Sequence, residues 1–391
     1  MNAPHIVSLG CRLNIAEAER MRVMLAGETD LVVINSCAVT GEAMRQTRQA
    51  IRRARRENPS ARLVVTGCAA EIERAVIGAM DEVDGLVANA AKLDPRAWNV
   101  EGNRQPIAPS RTRAFVAVQN GCDHACTFCV IPKGRGTSRS LSIAEVLRQV
   151  EMHLAAGARE IVLTGVDLTS WGQDIGNSPR LGSLVREILD TFKQLGRLRL
   201  SSVDGVEIDP ELFDLLAHEP RLMPHVHLSL QHGADLILKR MKRRHLRRDA
   251  VELVARLKAL RPGIAIGADL IAGFPTESAA HHAESLTIID ELDIVHCHVF
   301  PYSSRPGTPA ARMPQLPRDT VRLRAAELRA RSAERRAAWL QSLVGETLTV
   351  LAERDGTGYA PNYARVALPA GIAPGDIIEV TVREAKEGLL Q

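Results

Sequence analysis

Nine residues, Gly121 to Cys129, read GCDHACTFC and set thiols at positions 122, 126 and 129. Three thiolates on one loop can hold three irons of a four-iron, four-sulfur cluster, leaving the fourth iron open to a substrate. A structural zinc site is the alternative, with His124 or a remote residue completing a tetrahedral Cys and His set. The spacing differs from the ferredoxin run with its successive two-residue gaps and nearby fourth cysteine, which argues against a plain electron carrier.

Three more cysteines follow a second pattern. Cys11 comes after HIVSLG, Cys37 after LVVINS and Cys68 after LVVTG, so each closes an apolar run. These runs alternate with amphipathic stretches, as expected of a parallel sheet with covering helices. Strand ends of such a sheet open on one edge, where ligands bind, so the three thiols should converge on a second metal site. Cys297, in VHCHVF, belongs to neither set. It reads as a core residue, with His296 and His298 on the opposite face of the same strand.

Seven cysteines in a 391-residue chain exclude a simple disulfide framework. The start, MNAPHIVSLG, has neither the basic region nor the apolar core of a signal peptide, and no stretch is apolar enough to span a bilayer. The expectation is a cytoplasmic protein with no membrane association. The net charge is only +4, so any contact with nucleic acid rests on local patches.

The elements that must position these thiols fall into three regions of an α/β protein. Residues 1–108 carry the first βα alternation and end in a linker near Gln105 to Arg113. Residues 109–341 repeat the alternation six times, with FVAVQN, IVLTGV, LRLSSV, HVHLSLQ, AIGADLIAGF and DIVHCHVF as strands. Six such units predict an open (β/α)6 barrel with its chemistry at the C-terminal strand ends. An Arg-rich helix over Val321 to Leu343 leads to residues 342–391, which read as a small all-β module.

C-x3-C-x2-C with Phe128 before the last cysteine resembles the radical S-adenosylmethionine (SAM) signature. TGVD, Thr164 to Asp167, resembles the segment that holds the methionyl amine, with Gly165 and Asp167 as contacts. GADLIAGFP resembles the adenine-contacting turn, through Gly273 and Pro275. Gln231 begins Gln-His-Gly where Gln-Ser-Gly is common, so no cofactor contact is assigned to His232.

Joined to the first cysteine set, these motifs resemble the methylthiotransferases across essentially the whole chain, and NSCAVTGEAMRQTRQAIRRARR and HVFPYSSRPGTPAARMP look most like the MtaB branch. The resemblance implies two 4Fe-4S clusters, one on Cys11, Cys37 and Cys68 and one on Cys122, Cys126 and Cys129. It implies SAM as both methyl donor and radical source, an external electron donor, and no stable protein partner. One SAM would methylate a sulfur at the first cluster; a second, cleaved at the other, would give a radical that removes hydrogen from adenine C2.

The substrate implied is N6-threonylcarbamoyladenosine beside the tRNA anticodon. The other branches act on isopentenyladenosine or on a ribosomal-protein aspartate, and a non-catalytic zinc and RNA-binding protein is the reading from another class. The terminal module resembles a TRAM domain. Arg45, Arg48, Arg52 and Arg56 recur on one helix face, and Lys239 to Arg248 adds positive charge, both suited to phosphates. Arg135 and Arg139 are candidates for the SAM carboxylate or an RNA phosphate. Aromatic content of 3% argues against a broad stacking platform, leaving Tyr363 as a single stacking candidate.

Overall fold

The structure is a computed structural model that describes residues 4–101 and 112–391. The predicted linker near Gln105 and the boundary at residue 108 lie outside the described residues, apart from the last positions of the linker.

The N-terminal strands His5–Ser8, Leu31–Ser36, Arg62–Gly67 and Gly85–Leu86 pair in parallel and in chain order. Leu31–Ser36 is buried along its whole length, because helices cover both faces of a parallel sheet. The helices Arg12–Met24 and Gly41–Glu57 follow the first two strands. Thr40 caps the second through its hydroxyl, which accepts from the Ala43 N–H at 3.0 Å.

Six parallel strands form the central layer: Arg113–Ala117, Glu160–Thr164, Leu198–Leu200 continued by Ser202–Val203, His225–Gln231, Ala265–Ala272 and Ile294–Pro301. The third strand breaks at Ser201 and pairs with the second through its first half and with the fourth through its second half. These are the six strands the sequence predicts, arranged as an open barrel. Among the described residues no helix is long and apolar enough to cross a membrane.

The helix Arg318–Ser342 runs from the barrel to a six-stranded C-terminal sheet. That sheet is antiparallel except where Val366 pairs with Leu390. Its turn at Tyr359 to Tyr363 closes the bottom of the barrel. Arg199 donates to the Pro361 carbonyl at 2.8 Å, Arg197 to the Tyr359 carbonyl at 3.0 Å, and His296 Nε2 lies 3.1 Å from the Asn362 carbonyl. Glu160, fully buried beneath, bonds both Arg197 and Arg199, so the barrel floor is ionic and paired rather than apolar.

The floor corrects the expectation for Tyr363. It is 8% exposed, and the Arg199 guanidinium stacks 3.8 Å from its ring centroid. Its ring is spent on the protein's own cation, so it offers no face to an RNA base. Cys297 is half-buried and turns toward Ser332 of the long helix, while His296 and His298 face the barrel lumen.

Candidate active site

All six predicted cysteines line one cavity of about 340 Å³ at the C-terminal edge of both parallel layers. Cys11 is the N-cap of the first helix, Cys37 follows the second strand directly, and Cys68 opens the helix after the third. Glycines permit the approach: a Cβ on Gly10 would sit 2.7 Å from the Cys37 sulfur, and one on Gly134 3.3 Å from the Cys68 Cβ. Cys122, Cys126 and Cys129 come from the loop after the first barrel strand, on the facing wall.

The donor set suits a cluster better than one zinc ion. Zinc with sulfur bonds of about 2.3 Å would hold thiolates about 3.8 Å apart. Neither set brings its three sulfurs within 4.8 Å of one another; the compact group here joins Cys122 and His124 of the loop to Asp167, beyond the second barrel strand. There His124 Nε2 is paired with Asp167 at 2.7 Å, and the bonds to Asp167 and Glu207 raise its pKa to about 10. His124 is therefore committed to carboxylates rather than completing a sulfur tetrahedron.

Hydrogen-bond donors already point at the loop sulfurs. The His124 N–H lies 3.4 Å from Cys122 Sγ, the Ile131 N–H 3.4 Å from Cys129 Sγ, and Arg243 Nη1 3.7 Å from Cys126 Sγ. Such donors favour thiolates and tune a bound cluster. Burial pushes Cys122 up to about 12 and Cys129 to about 11, so iron binding must displace their protons.

Behind the other set lies a buried charge cluster. Lys92 Nζ donates to Glu17 Oε2 at 2.6 Å, and Arg135 Nη1 to Glu17 Oε1 at 2.9 Å. Arg135 also reaches Asn14, whose side chain holds the Leu9 and Ser36 carbonyls, and Asn120, two residues before Cys122. Asn89 donates to the Gly134 carbonyl at 2.5 Å and lies 3.9 Å from Cys68 Sγ. Burial raises the Cys68 pKa while Arg135 and Lys92 oppose that rise.

Several site expectations are corrected here. Arg135 lines the cavity, but it is 6% exposed and its guanidinium is bonded to Glu17, so its charge is committed within the protein and it acts as a rivet between the two walls. Arg139 is exposed, donates to the Arg135 carbonyl at 3.3 Å and does not line the cavity. Gly273 and Pro275 are buried away from it: the Gly273 N–H bonds Glu277, and a Cβ there would strike Val321 at 2.7 Å. Ile271, from the same strand, lines the cavity instead.

Gly165, Asp167 and Gln231 do line it. Gln231 reaches the wall through a register shift after Leu228 and a positive φ of 68°. His232 is fully buried, accepting from the Ala234 N–H at 2.9 Å, which fits its exclusion from cofactor contact.

The arginine stripe is largely compensated, with Arg45 on Glu42, Arg48 on Glu73 and Arg52 on Glu82; Arg56 has no ion pair among the described residues. In the Lys239 to Arg248 run, Arg243 turns inward to Asp204 at 2.6 Å and Arg247 bonds Glu291. That run read as a uniform positive surface. Its inward member had no distinguishing signal, because its partner lies at the end of another strand.

Residues 116–288 match the radical SAM superfamily, and residues 4–88 match the family described as uncharacterized protein family UPF0004. The two matched segments divide the six cysteines three and three. The threonylcarbamoyladenosine tRNA methylthiotransferase MtaB of Rickettsia prowazekii (strain Madrid E) is 40% identical, over 99% of this chain and 96% of its own length. The chain belongs to the radical SAM methylthiotransferases.

Within this family, MtaB of Aquifex aeolicus (strain VF5) is 32% identical over 96% of this chain and 98% of its own. A tRNA-2-methylthio-N(6)-dimethylallyladenosine synthase of Erythrobacter litoralis (strain HTCC2594) is also 32% identical, over 97% and 94%. The solved radical SAM methyltransferase TsrM from Kitasatospora setae, with cobalamin and a [4Fe-4S] cluster bound, shares the fold with a TM-score of 0.53 at 19% identity, covering 72% of this chain and 66% of that one. Membership of the radical SAM methylthiotransferases brings a 4Fe-4S cluster and SAM as cofactors, which the thiol loop and its donors fit.

Proposed function

We infer that the protein converts N6-threonylcarbamoyladenosine in tRNA, beside the anticodon, to its 2-methylthio derivative. The observation that carries this is the single cavity lined by both cysteine sets, because methylthiolation needs hydrogen removal and sulfur delivery at one carbon. Cys122, Cys126 and Cys129 would hold one 4Fe-4S cluster, and Cys11, Cys37 and Cys68 a second. When bound, these groups and SAM supply one-electron cleavage of a sulfonium, hydrogen abstraction from adenine C2 and a methylthio sulfur.

The chain's own part is to orient and enclose. Asp167 and the backbone at Gly165 flank the loop set and orient the methionyl end of SAM, with Gln231 on the same wall. Ile271 and Phe300 give the opposite wall an apolar surface for the adenine ring. Residues 1–108, 109–341 and 342–391 serve as sulfur-donating, radical-forming and TRAM-like RNA-binding parts, and an external electron donor supplies the reductant. Arg56, the member of the stripe on the helix after Cys37 without an ion pair among the described residues, contacts the tRNA backbone, and the paired Arg45, Arg48 and Arg52 add to the field around it.

Nucleoside mass spectrometry of tRNA from a deletion strain tests this reading. Loss of 2-methylthio-N6-threonylcarbamoyladenosine, restored by the gene, is expected; an unchanged level overturns it. Anaerobically reconstituted protein should carry about eight irons and equal acid-labile sulfide.

A further inference from the structure

A group that meets the cavity through Asp269, with His227 and His298 set behind and beside it, has no part in the chemistry above. Asp269 lines the cavity and presents one oxygen, Oδ1, to two imidazoles, His227 Nε2 at 2.9 Å and His298 Nδ1 at 3.0 Å. The three residues come from neighbouring parallel strands in register, His227 beside Gly267 and Asp269 beside His298. Gly267 makes the room, since a Cβ there would lie 2.4 Å from His227 Nδ1. Strand register fixes His227 and Asp269 inside the barrel and leaves His298 at its exposed edge.

Its position relative to the apolar wall is informative. Asp269 lies two residues before Ile271 and His298 two before Phe300, so on each strand the polar residue is one step further into the lumen on the same face. Phe300 is an exposed large hydrophobic at this mouth, and His298 has a side chain 61% exposed, with its ring 6.4 Å from that of Phe300. In an adenine laid on Ile271 and Phe300 with C2 toward the cysteines, C6 is separated from C2 by N1 alone, so its N6 substituent leaves the ring to one side of the thiols, where this group lies.

We propose that His227, Asp269 and His298 form the subsite for the N6 substituent and select a polar one, bearing a carboxylate, hydroxyl and urea, over a hydrocarbon one. The inference rests on the methylthiotransferase reading above. The free nitrogen of His298 and the second oxygen of Asp269 offer hydrogen bonds that a threonylcarbamoyl group satisfies. A dimethylallyl group would cover them and leave them unpaired, and a site built to hydrogen-bond its substrate rejects an analogue lacking those groups far more strongly than an apolar pocket does.

The test compares two anticodon stem-loop RNAs, one carrying threonylcarbamoyladenosine and one dimethylallyladenosine, on reconstituted wild type, His298→Phe and His298→Gln. Formation of 5′-deoxyadenosine is followed separately. His298→Phe should raise KM for the threonylcarbamoyl RNA by roughly tenfold to a hundredfold, narrow the preference between the RNAs, and leave RNA-independent SAM cleavage unchanged. His298→Gln should recover part of the loss.

Equal losses on both RNAs, or no change in preference, would overturn the proposal. So would one equivalent of a non-iron metal bound by wild type and absent from His298→Phe, which would make the group a cation site. Wild type that cleaves SAM but modifies neither RNA would refute the underlying functional reading instead.

Discussion

The two cysteine sets reach the same cavity by opposite routes. Cys122, Cys126 and Cys129 lie on eight consecutive residues, so a single loop conformation gathers them. Cys11, Cys37 and Cys68 are spread over 58 residues and meet only because three parallel strands end on one edge. The supports differ accordingly. The loop set relies on backbone N–H groups and one guanidinium, while the dispersed set has the buried Glu17, Lys92 and Arg135 cluster behind it. A site assembled by topology needs its sheet edge fixed from outside; a site assembled locally does not.

The largest expected contrast comes from the thiols. Cys126→Ser should abolish both 5′-deoxyadenosine formation and methylthiolation, whereas Cys37→Ser should abolish methylthiolation alone, each variant losing about half its iron. If folded Cys37→Ser also fails to cleave SAM, the two sets do not divide the labour.

Next comes Arg135→Met, which removes one partner of a buried carboxylate and leaves Asn14 and Asn120 unanswered. A loss of roughly 3 kcal/mol is expected by denaturant unfolding. Iron should be lost from the dispersed set first, read as retained SAM cleavage with lost methylthiolation. Arg243→Met, on the loop side, should cost about 2 kcal/mol, because Asp204 keeps only the long contacts to Arg244 and His245, and leave the dispersed set loaded. The smallest effect belongs to Asn89→Ala, about 1 kcal/mol with the iron content unchanged. Reversal of the order of Arg135 and Asn89 would show that the charge cluster is not the support described here.

The cysteines were readable because each carries its own local mark, a C-x3-C-x2-C loop or the end of an apolar run. The six barrel strands were readable from their β-branched alternation, and the terminal sheet from its turns. The pairing of Arg135 with Glu17 was not readable because the two are 118 residues apart and nothing near Arg135 announces it. Gly273 and Pro275 failed for a related reason: the turn they form faces Glu277 and the long helix, a packing decision made by Arg318–Ser342. The pairing of Asp269 with two histidines needed strand register, which spacing within one strand cannot supply.

The barrel floor has a consequence for anyone rebuilding this enzyme. Arg113, Arg197 and Arg199 hand hydrogen bonds to Glu353, Tyr359, Pro361 and Tyr363 of the C-terminal sheet, so that sheet is the lid on a buried acid, Glu160. Deleting residues 342–391 would flood a charged interior with water, and grafting a foreign RNA-binding module in their place would succeed only if the graft carried its own turn to seal it. Whatever its outer face binds, the C-terminal sheet is, from the barrel's side, a stopper.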